Sequence, residues 1–315
     1  PTTQRVLKQD PEFLRGQFWS DGMVRVVGRE YSGLIESACY IKGEMTCMSC
    51  HAMHKPADDT RAMEAWRDDQ MKPGMRTNDA CLGCHADYAK DISAHTHHPA
   101  DSAGSQCYNC HMPFTTYGLH KAVRSHQIDS PTVIASLETG RPNACNQCHL
   151  DKTMAWAAEH LEQWYDQPQP PLSADESAVA ASALWMLKGD AGQRALMAWS
   201  MGWPDAVEAS GDWWLAPYLM QGMTDPYDAV RLIAYRSLKA QDAFAELPYD
   251  FVADQASRRH SLAKASRLFE RQRSNRIGKG HDAEAVLIKP SGVVDYDAFG
   301  RLLEQRDHRS VLIRE

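Results

Sequence analysis

The sequence has no long apolar segment and no excess of positive charge. No run of 18 apolar residues occurs in its 315 residues, so no segment is suited to span a membrane as a helix. The formal net charge of -7 at pH 7 argues against binding of nucleic acid through its phosphates. The first ten residues lack the basic and apolar regions of a signal peptide. We therefore expect a globular chain without a membrane span, in a mature or trimmed form.

Cysteine is the informative residue type. Eight of the nine cysteines form four CxxC pairs, namely Cys47/Cys50, Cys81/Cys84, Cys107/Cys110 and Cys145/Cys148. A histidine follows each pair at once, and these are His51, His85, His111 and His149. Two thiols three residues apart lie on one side of a helical turn and can form thioethers with the vinyl groups of one haem, while the next imidazole binds the iron. The pattern predicts four covalently bound haem c groups.

Two other interpretations of the cysteine pairs are weaker. Pairs of CxxC motifs could hold zinc in two Cys₄ sites, but such sites give no reason for a histidine after every pair. Redox-active dithiols occur singly on a βαβ unit, which the sequence does not predict. The ninth cysteine, Cys39, is predicted to be a buried thiol that packs as a small apolar group, and an intersubunit bond is the alternative.

Covalent attachment of haem indicates a compartment. Thioether formation takes place on the far side of the cytoplasmic membrane, so we expect an extracytoplasmic protein, periplasmic or extracellular, whose signal peptide has been removed. Partners are then expected to be redox proteins or extracellular acceptors.

The second axial ligand of each iron separates an electron carrier from an enzyme, because an open position binds substrate. Six further histidines occur in the same region, and they are His54, His95, His97, His98, His120 and His126. The i, i+3 spacing of His95 and His98 would place both on one side of a helix. His54 is too close to His51 to bind the same iron. We expect two histidines on every iron, with Met45, Met53 or Met112 as alternative ligands at one site.

About a hundred residues separate Cys47 from His149, which is too few to build four separate haem pockets. We therefore expect closely packed haems that form the core themselves, joined by short helices and turns with little regular sheet.

Three stretches resemble the multihaem cytochromes c with doubled CxxCH motifs, in particular members with a HEAT-like helical tail. They are FWSDGMVRVVGREYSGLIESACYIKGEMTCMSCHAMH (18–54), HTHHPADSAGSQCYNCHMP (95–113) and RPNACNQCHLDK (141–152). The resemblance implies His54, His95, His98 and His126 as distal ligands, with His97 and His120 as bystanders. The number of haems is also similar to that of extracellular cytochrome filament (nanowire) subunits, which stack end to end so that their haems form a continuous chain. Self-association into such a filament is what this second resemblance implies.

The remainder of the sequence predicts helices. They cover about residues 151–165, 173–189, 192–201, 212–223 and 295–306, and one begins at Asp225-Pro226 with Val230, Ile233, Ala234 and Leu238 on one face. Ser173 and Glu176 predict a capping box. The tryptophans at 185, 199, 203, 213 and 214 are expected to pack in the core.

The predicted fold class is mainly α. We expect a tetrahaem cytochrome c domain (1–150) with an N-terminal hairpin at Asp21-Gly22, a connecting helix and Pro-rich linker (151–172), a HEAT-like helical domain (173–290), and a C-terminal helix and docking tail (291–315) that ends with Ser310-Val311-Leu312-Ile313. Eight basic residues and one acid lie between Arg258 and Lys279. They predict a solvated helix face or, alternatively, a contact for haem propionates or an acidic neighbouring subunit.

Three classes of function fit these observations. Electron transfer, with no catalysis, is favoured by the surplus of histidines. An oxidoreductase of the nitrite, hydroxylamine or sulfur-oxyanion type needs one open haem, and the sequence has no CxxCK motif. The third class is a redox subunit or scaffold whose helical region binds a partner in a larger complex.

Overall fold

The computed structural model describes residues 13–26, 28–278 and 281–311. As far as Thr139 the helices are α1 Phe13–Gln17, α2 Glu30–Ile35, α3 Ala38–Ile41, α4 Cys47–Cys50, α5 Met63–Asp69, α6 Asp79–Leu82, α7 Ile92–Thr96, α8 Cys107–His111 and α9 Val133–Thr139. They are followed by α10 Ala144–Cys148, α11 Met154–Tyr165, α12 Ala174–Ala178, α13 Ala181–Lys188, α14 Ala191–Ser200, α15 Pro204–Ser210, α16 Ala216–Gly222, α17 Asp228–Lys239, α18 Gln255–Arg271, α19 His281–Ala285 and α20 Tyr296–Glu304.

The fold is mainly α, as predicted. Over the described ranges the only sheet has two strands, β1 Phe114–Tyr117 and β2 Lys121–Arg124. Short 3₁₀ turns at Ala86–Lys90 and Ala103–Ser105 connect the helices around the second and third CxxCH motifs.

The chain forms two compact units. The three-motif unit comprises Arg29–Pro113 and Arg124–Pro131, and it contains the first three CxxCH motifs. The helical unit comprises the described residues up to Gly28, Phe114–Val123 and the chain from Thr132 onward. The fourth motif lies in the helical unit, where it packs together with the helices that follow it in sequence.

The helical unit has an extensive apolar core. The predicted face of α17 is confirmed, because Val230, Ile233, Ala234 and Leu238 are all buried. The tryptophans also pack as predicted: Trp214 is fully buried, and Trp185, Trp199, Trp203 and Trp213 pack against the core from its edge. Residues of α13, α14, α16 and α17 share this one apolar core.

Asp225 does not cap α17, contrary to the prediction. The helix begins at Asp228, and the Asp225 carboxylate accepts hydrogen bonds from Arg194 Nε at 2.6 Å and Nη2 at 3.1 Å. Arg306 Nη1 lies 3.5 Å from the same carboxylate. Burial, and then repulsion by Arg194, lowers the pKa of Arg306 to about 10. A buried carboxylate with two arginine partners is held there by charge pairing and not by a helix end.

The predicted helix over 173–189 is interrupted. Ser173 and Glu176 form the expected capping box, but α12 ends at Ala178, and α13 begins at Ala181. Between them Val179 is extended, and the backbone N–H of Ala180 donates to Ala285 O at 2.9 Å. A tertiary hydrogen bond thus replaces the helical one.

A hairpin near the N-terminus and a docking tail at the C-terminus were predicted from the sequence. The hairpin at Asp21-Gly22 is confirmed by an antiparallel bridge between Phe18 and Val24. At the other end, Val311 is buried and its N–H donates to Tyr227 Oη at 3.0 Å, so this part of the tail docks on its own chain. Leu312 and Ile313 lie outside the described residues.

Candidate functional site

Each CxxCH motif forms one helical turn. The backbone N–H of the histidine closes the turn onto the carbonyl of the first cysteine, at 2.9 Å for His51, 2.9 Å for His85 and 2.8 Å for His149, and His111 ends α8, which begins at Cys107. The turn places both thiols and the imidazole of a motif within one short segment, as attachment to one haem requires.

Cys84 differs from the second cysteines of the other motifs. α6 ends at Leu82, so Cys84 lies beyond the helix and is exposed. The intervening residue is Gly83, whose type is a poor helix former. The chain still turns here, because the Cys84 N–H donates to Cys81 O at 3.1 Å. Cys84 thus remains part of the helical turn of its motif although it lies beyond α6, and its attachment to haem stays a prediction. The second cysteines that do belong to helices are Cys50, Cys110 and Cys148.

Polar side chains fix where these turns begin. Thr46 and Ser49 form a capping box on α4, and Asn143 Oδ1 accepts from Cys145 N at 2.9 Å. The third turn has a cap from elsewhere in the chain, because Cys107 N donates to Asn78 Oδ1 at 2.9 Å. Helices this short depend on such caps, since their first N–H groups have no partner in the helix.

The cysteines are not arranged for zinc. All nine belong to the described part of the chain, and none forms a disulfide. Among the described residues, no group of three or more His, Cys, Asp or Glu side chains could hold a metal ion, whereas a Cys₄ site needs four convergent thiols.

Cys39 is half-buried and not fully buried as predicted, because α3 has no fully buried residue.

Two pairs of predicted ligands face each other in the three-motif unit. The ring centroids of His51 and His126 are 6.1 Å apart with a 27° angle between the ring planes, and those of His95 and His111 are also 6.1 Å apart with a 4° angle. A metal–imidazole bond measures about 2 Å and the ring centroid lies roughly 1 Å behind its nitrogen, so two imidazoles on opposite sides of one iron have centroids about 6 Å apart. Both pairs have this separation.

Backbone carbonyls orient three of the predicted ligands. Nδ1 lies 2.9 Å from Asp129 O in His111, 3.1 Å from Arg124 O in His126 and 2.6 Å from Thr96 O in His98. A hydrogen bond at Nδ1 fixes the ring tautomer and assigns Nε2 to the metal. These are the contacts that metal-binding histidines normally make with the surrounding protein.

The backbone at His126 is held by α2 and by Ser37, which lies between α2 and α3, about ninety residues earlier in the chain. Ser37 Oγ lies 3.1 Å from His126 O and accepts from Ile128 N at 2.8 Å. Gly33 in α2 approaches so closely that an added Cβ would lie 2.7 Å from Gln127 N. This close packing fixes the position of His126 relative to α2.

Burial keeps two of the paired ligands in their metal-binding form. Removal from water lowers the pKa of His126, and it lowers that of His95, with a further contribution from His111. A neutral imidazole is the form that binds a metal.

His95 and His98 do not share one helical face, contrary to the prediction. α7 ends at Thr96, and His97 adopts the left-handed conformation with a φ of 56°. Pro99 follows His98, and a residue before proline is displaced from helical geometry. His98 lies beyond the helix against Gly104, where an added Cβ would be 2.2 Å from the ring.

The remaining predicted ligands lie apart from these pairs. His85 is exposed and its ring is 6.3 Å from that of Tyr88, which in turn is 4.3 Å from His95. His54 is exposed and, within the described chain, makes no ring contact with another histidine. His97 and His120, the predicted bystanders, are both exposed.

The fourth motif is built into the helical unit. Ser210 Oγ donates to Cys148 O at 2.8 Å and accepts from Leu150 N at 2.9 Å, and Ser182 Oγ donates to Leu150 O at 2.5 Å. The ring of His149 packs against Trp156 with centroids 4.8 Å apart. Helices α13 and α15 thus supply side chains that position this turn.

Sequence reasoning missed several of these residues. Trp156, His160 and Trp164 are four apart on α11, and their rings follow one another with centroids 4.3 and 4.8 Å apart. The i, i+4 spacing was the available signal for this stack. Asn78, Ser37 and Gly104 had no local signal, because their partners are distant in sequence or defined by close packing.

The residues present fit haem c. Four thiol pairs lie on single turns that end in histidine, and two pairs of imidazoles have the separation of axial ligands. These features, together with a mainly helical fold, are those expected of a multihaem cytochrome c.

Comparison with known proteins agrees with this class. The family model of cytochrome c552 matches residues 93–195, about a third of the chain, which includes the third and fourth motifs, His95 and His98. This match supports a multihaem cytochrome c that transfers electrons. Searches of curated proteins and of solved structures gave no match. Within the described ranges, no helix has the length and apolar character needed to cross a membrane.

Proposed function

We propose that the protein carries electrons outside the cytoplasm through four c-type haems, each with two axial histidines. The main support for this proposal is that the ring centroids are 6.1 Å apart in both the His51–His126 and the His95–His111 pairs. One iron is assigned to each pair. The other proximal ligands are His85 and His149, and the remaining distal ligands are His54 and His98.

Bound haem supplies an iron that alternates between two oxidation states. In the proposed arrangement two histidines of the chain would hold each haem iron, which would leave no position for a substrate. The carbonyls of Asp129 and Arg124 keep the rings of His111 and His126 in a fixed orientation. A fixed ligand set limits the rearrangement of the site when an electron arrives or leaves, and this favours transfer over catalysis.

The first experiment measures haem content and ligand binding in the purified holoprotein. Intact mass should exceed that of the polypeptide by four haems, and the resting spectrum should be low-spin. Because the cytochrome c552 family includes nitrite reductase-type enzymes, the competing function is an oxidoreductase with one open iron. Rapid binding of cyanide or nitrite to the resting protein would favour that enzyme, whereas an unchanged Soret band supports the electron carrier.

We also propose that copies of the chain associate end to end, as in cytochrome filaments. Residues 258–276 contain seven Lys and Arg residues and one Glu, which is a net charge of +6 in a chain of -7, so the other residues carry -13. Arg259, Arg267 and Arg271 on α18 are exposed, and none forms a salt bridge within the described chain. A basic helix on a chain whose other residues are net acidic favours head-to-tail contacts, and such contacts build open filaments when the rotation does not close.

Sedimentation at low and high salt tests this association. Assembly should occur at low ionic strength and weaken as salt screens the charges, and Arg267→Glu/Arg271→Glu should abolish it. The control is Arg236→Glu/Lys239→Glu, which makes the same change of charge on α17, where both residues are also exposed. Small monodisperse particles in every condition, or equal loss of assembly in both variants, would contradict the proposal.

A further inference from the structure

In the three-motif unit, Asn78 contacts the second and third CxxCH turns, and Arg124 contacts the third turn and the ring that faces His51. We propose that these two residues form a brace that sets the relative positions of the haems on the first, second and third motifs. They are positioning residues, since neither is expected to bind iron. The inference rests on the proposed function, because it assumes haem on these three motifs.

Asn78 connects the second turn to the third. Its backbone carbonyl accepts from Cys81 N and Leu82 N, both at 2.9 Å, and so begins the second turn. Its side chain caps the third turn, since Oδ1 accepts from Cys107 N at 2.9 Å and Nδ2 donates to Ser105 O at 2.7 Å. One residue thus fixes the start of both turns, although 29 positions separate Asn78 from Cys107.

Two further contacts support this connection. Tyr108 Oη donates to Met75 O at 2.5 Å, which ties the third turn to the segment before the second. The sulfur atoms of Cys81 and Cys107 are also close to each other, within hydrogen-bond distance. The two turns therefore bring their first cysteines together, and their haem edges would be neighbours.

Arg124 connects the third turn to the first motif. Its guanidinium donates to Tyr108 O at 3.1 Å and Met112 O at 3.3 Å, and also to Asn109 Oδ1. Tyr108 and Asn109 belong to α8, and Met112 follows directly after it. The backbone carbonyl of Arg124 lies 3.1 Å from His126 Nδ1, and His126 faces His51 of the first motif.

The brace therefore runs from the second turn through Asn78 to the third, and through Arg124 to the ring that faces His51. Without it, each turn is a short helix that could shift separately. Interactions between haems depend steeply on their separation and relative orientation. Loss of the brace would therefore change the magnetic coupling and the spread of reduction potentials, and it would have a smaller effect on haem attachment.

The test compares Asn78→Asp and Asn78→Leu in the holoprotein. Aspartate keeps an acceptor for Cys107 N, whereas leucine removes both hydrogen bonds. We expect full covalent haem in both variants. In Asn78→Leu we expect amide exchange at Cys107 to be about tenfold faster, the effect of one lost hydrogen bond, together with a changed electron paramagnetic coupling signal and shifted potentials for two haems. Asn78→Asp should restore the coupling signal and most of the protection at Cys107.

Arg124→Gln tests the other half of the brace, with Arg67→Gln on the exposed surface as its control. We expect altered signals from the haems on the first and third motifs in Arg124→Gln and none in Arg67→Gln. Full haem content with unchanged coupling and potentials in both Asn78→Leu and Arg124→Gln would overturn the brace. A wild-type protein without covalent haem would instead overturn the proposed function, so the two failures are distinguishable.

Discussion

At the scale of single residues, the site depends on close approaches that leave no room for a side chain. Gly104 is the tightest of these, because an added Cβ would lie 2.2 Å from Cδ2 and 2.3 Å from Cγ of His98. His98 is held by a hydrogen bond to the Thr96 carbonyl and cannot move without breaking it. The absence of a side chain at Gly104 therefore provides the space that the His98 ring occupies.

Gly104→Ala should displace His98 and convert about one haem of four from low-spin to high-spin, because the iron loses one axial nitrogen. Electron paramagnetic resonance of the oxidised holoprotein measures the change. Gly300→Ala is the matched control, since an added Cβ at Gly300 meets no atom within 4 Å. An entirely low-spin Gly104→Ala protein would show that His98 is not an axial ligand.

At the scale of helices and strands, the helical unit is held together by apolar packing and by a buried charge cluster around Asp225. The Asp225 carboxylate is fully buried, and the side chains of Arg194 and Arg306 are 2% and 6% exposed. The cluster joins α14, the segment before α17 and the residues after α20. Removal of the Asp225 carboxylate would leave the buried guanidinium groups of Arg194 and Arg306 without this negative partner.

Asp225→Asn should lower the free energy of unfolding by roughly 3–5 kcal/mol, the cost of breaking a buried ion pair from one side. Denaturant unfolding followed by circular dichroism measures it. The control, Asp228→Asn, changes an acid that is 61% exposed and pairs with Arg231 three residues later, and should cost about 1 kcal/mol or less. Equal losses of unfolding free energy in the two variants would show that the buried cluster stabilises the fold no more than the exposed ion pair does.

The sequence predicted those parts of the molecule that are local. The CxxCH turns and the apolar face of α17 follow from residues a few positions apart, so the pattern contains the information. The cap from Asn78 to Cys107 and the contact from Ser37 to His126 join residues 29 and 89 positions apart, and no short pattern encodes them. The cap predicted at Asp225 was wrong for the same reason, because the carboxylate has a tertiary partner in Arg194, and the helix begins three residues later, at Asp228.

At the scale of the whole molecule, the central claim is that two imidazoles hold each iron. His126 is the most direct place to test it, since its ring faces His51 at 6.1 Å and its backbone is fixed by Ser37. The ring can be removed while the CxxCH turn that attaches the haem is left intact. The consequence is confined to one iron of a molecule whose other haems report on its integrity.

The decisive measurement is therefore the spin state and haem content of His126→Ala, by electron paramagnetic resonance and intact mass. We predict four covalent haems, one of them high-spin and able to bind cyanide, and three unchanged low-spin signals. A His126→Ala protein in which all haems remain low-spin, or a wild-type protein that contains no covalent haem, would contradict it.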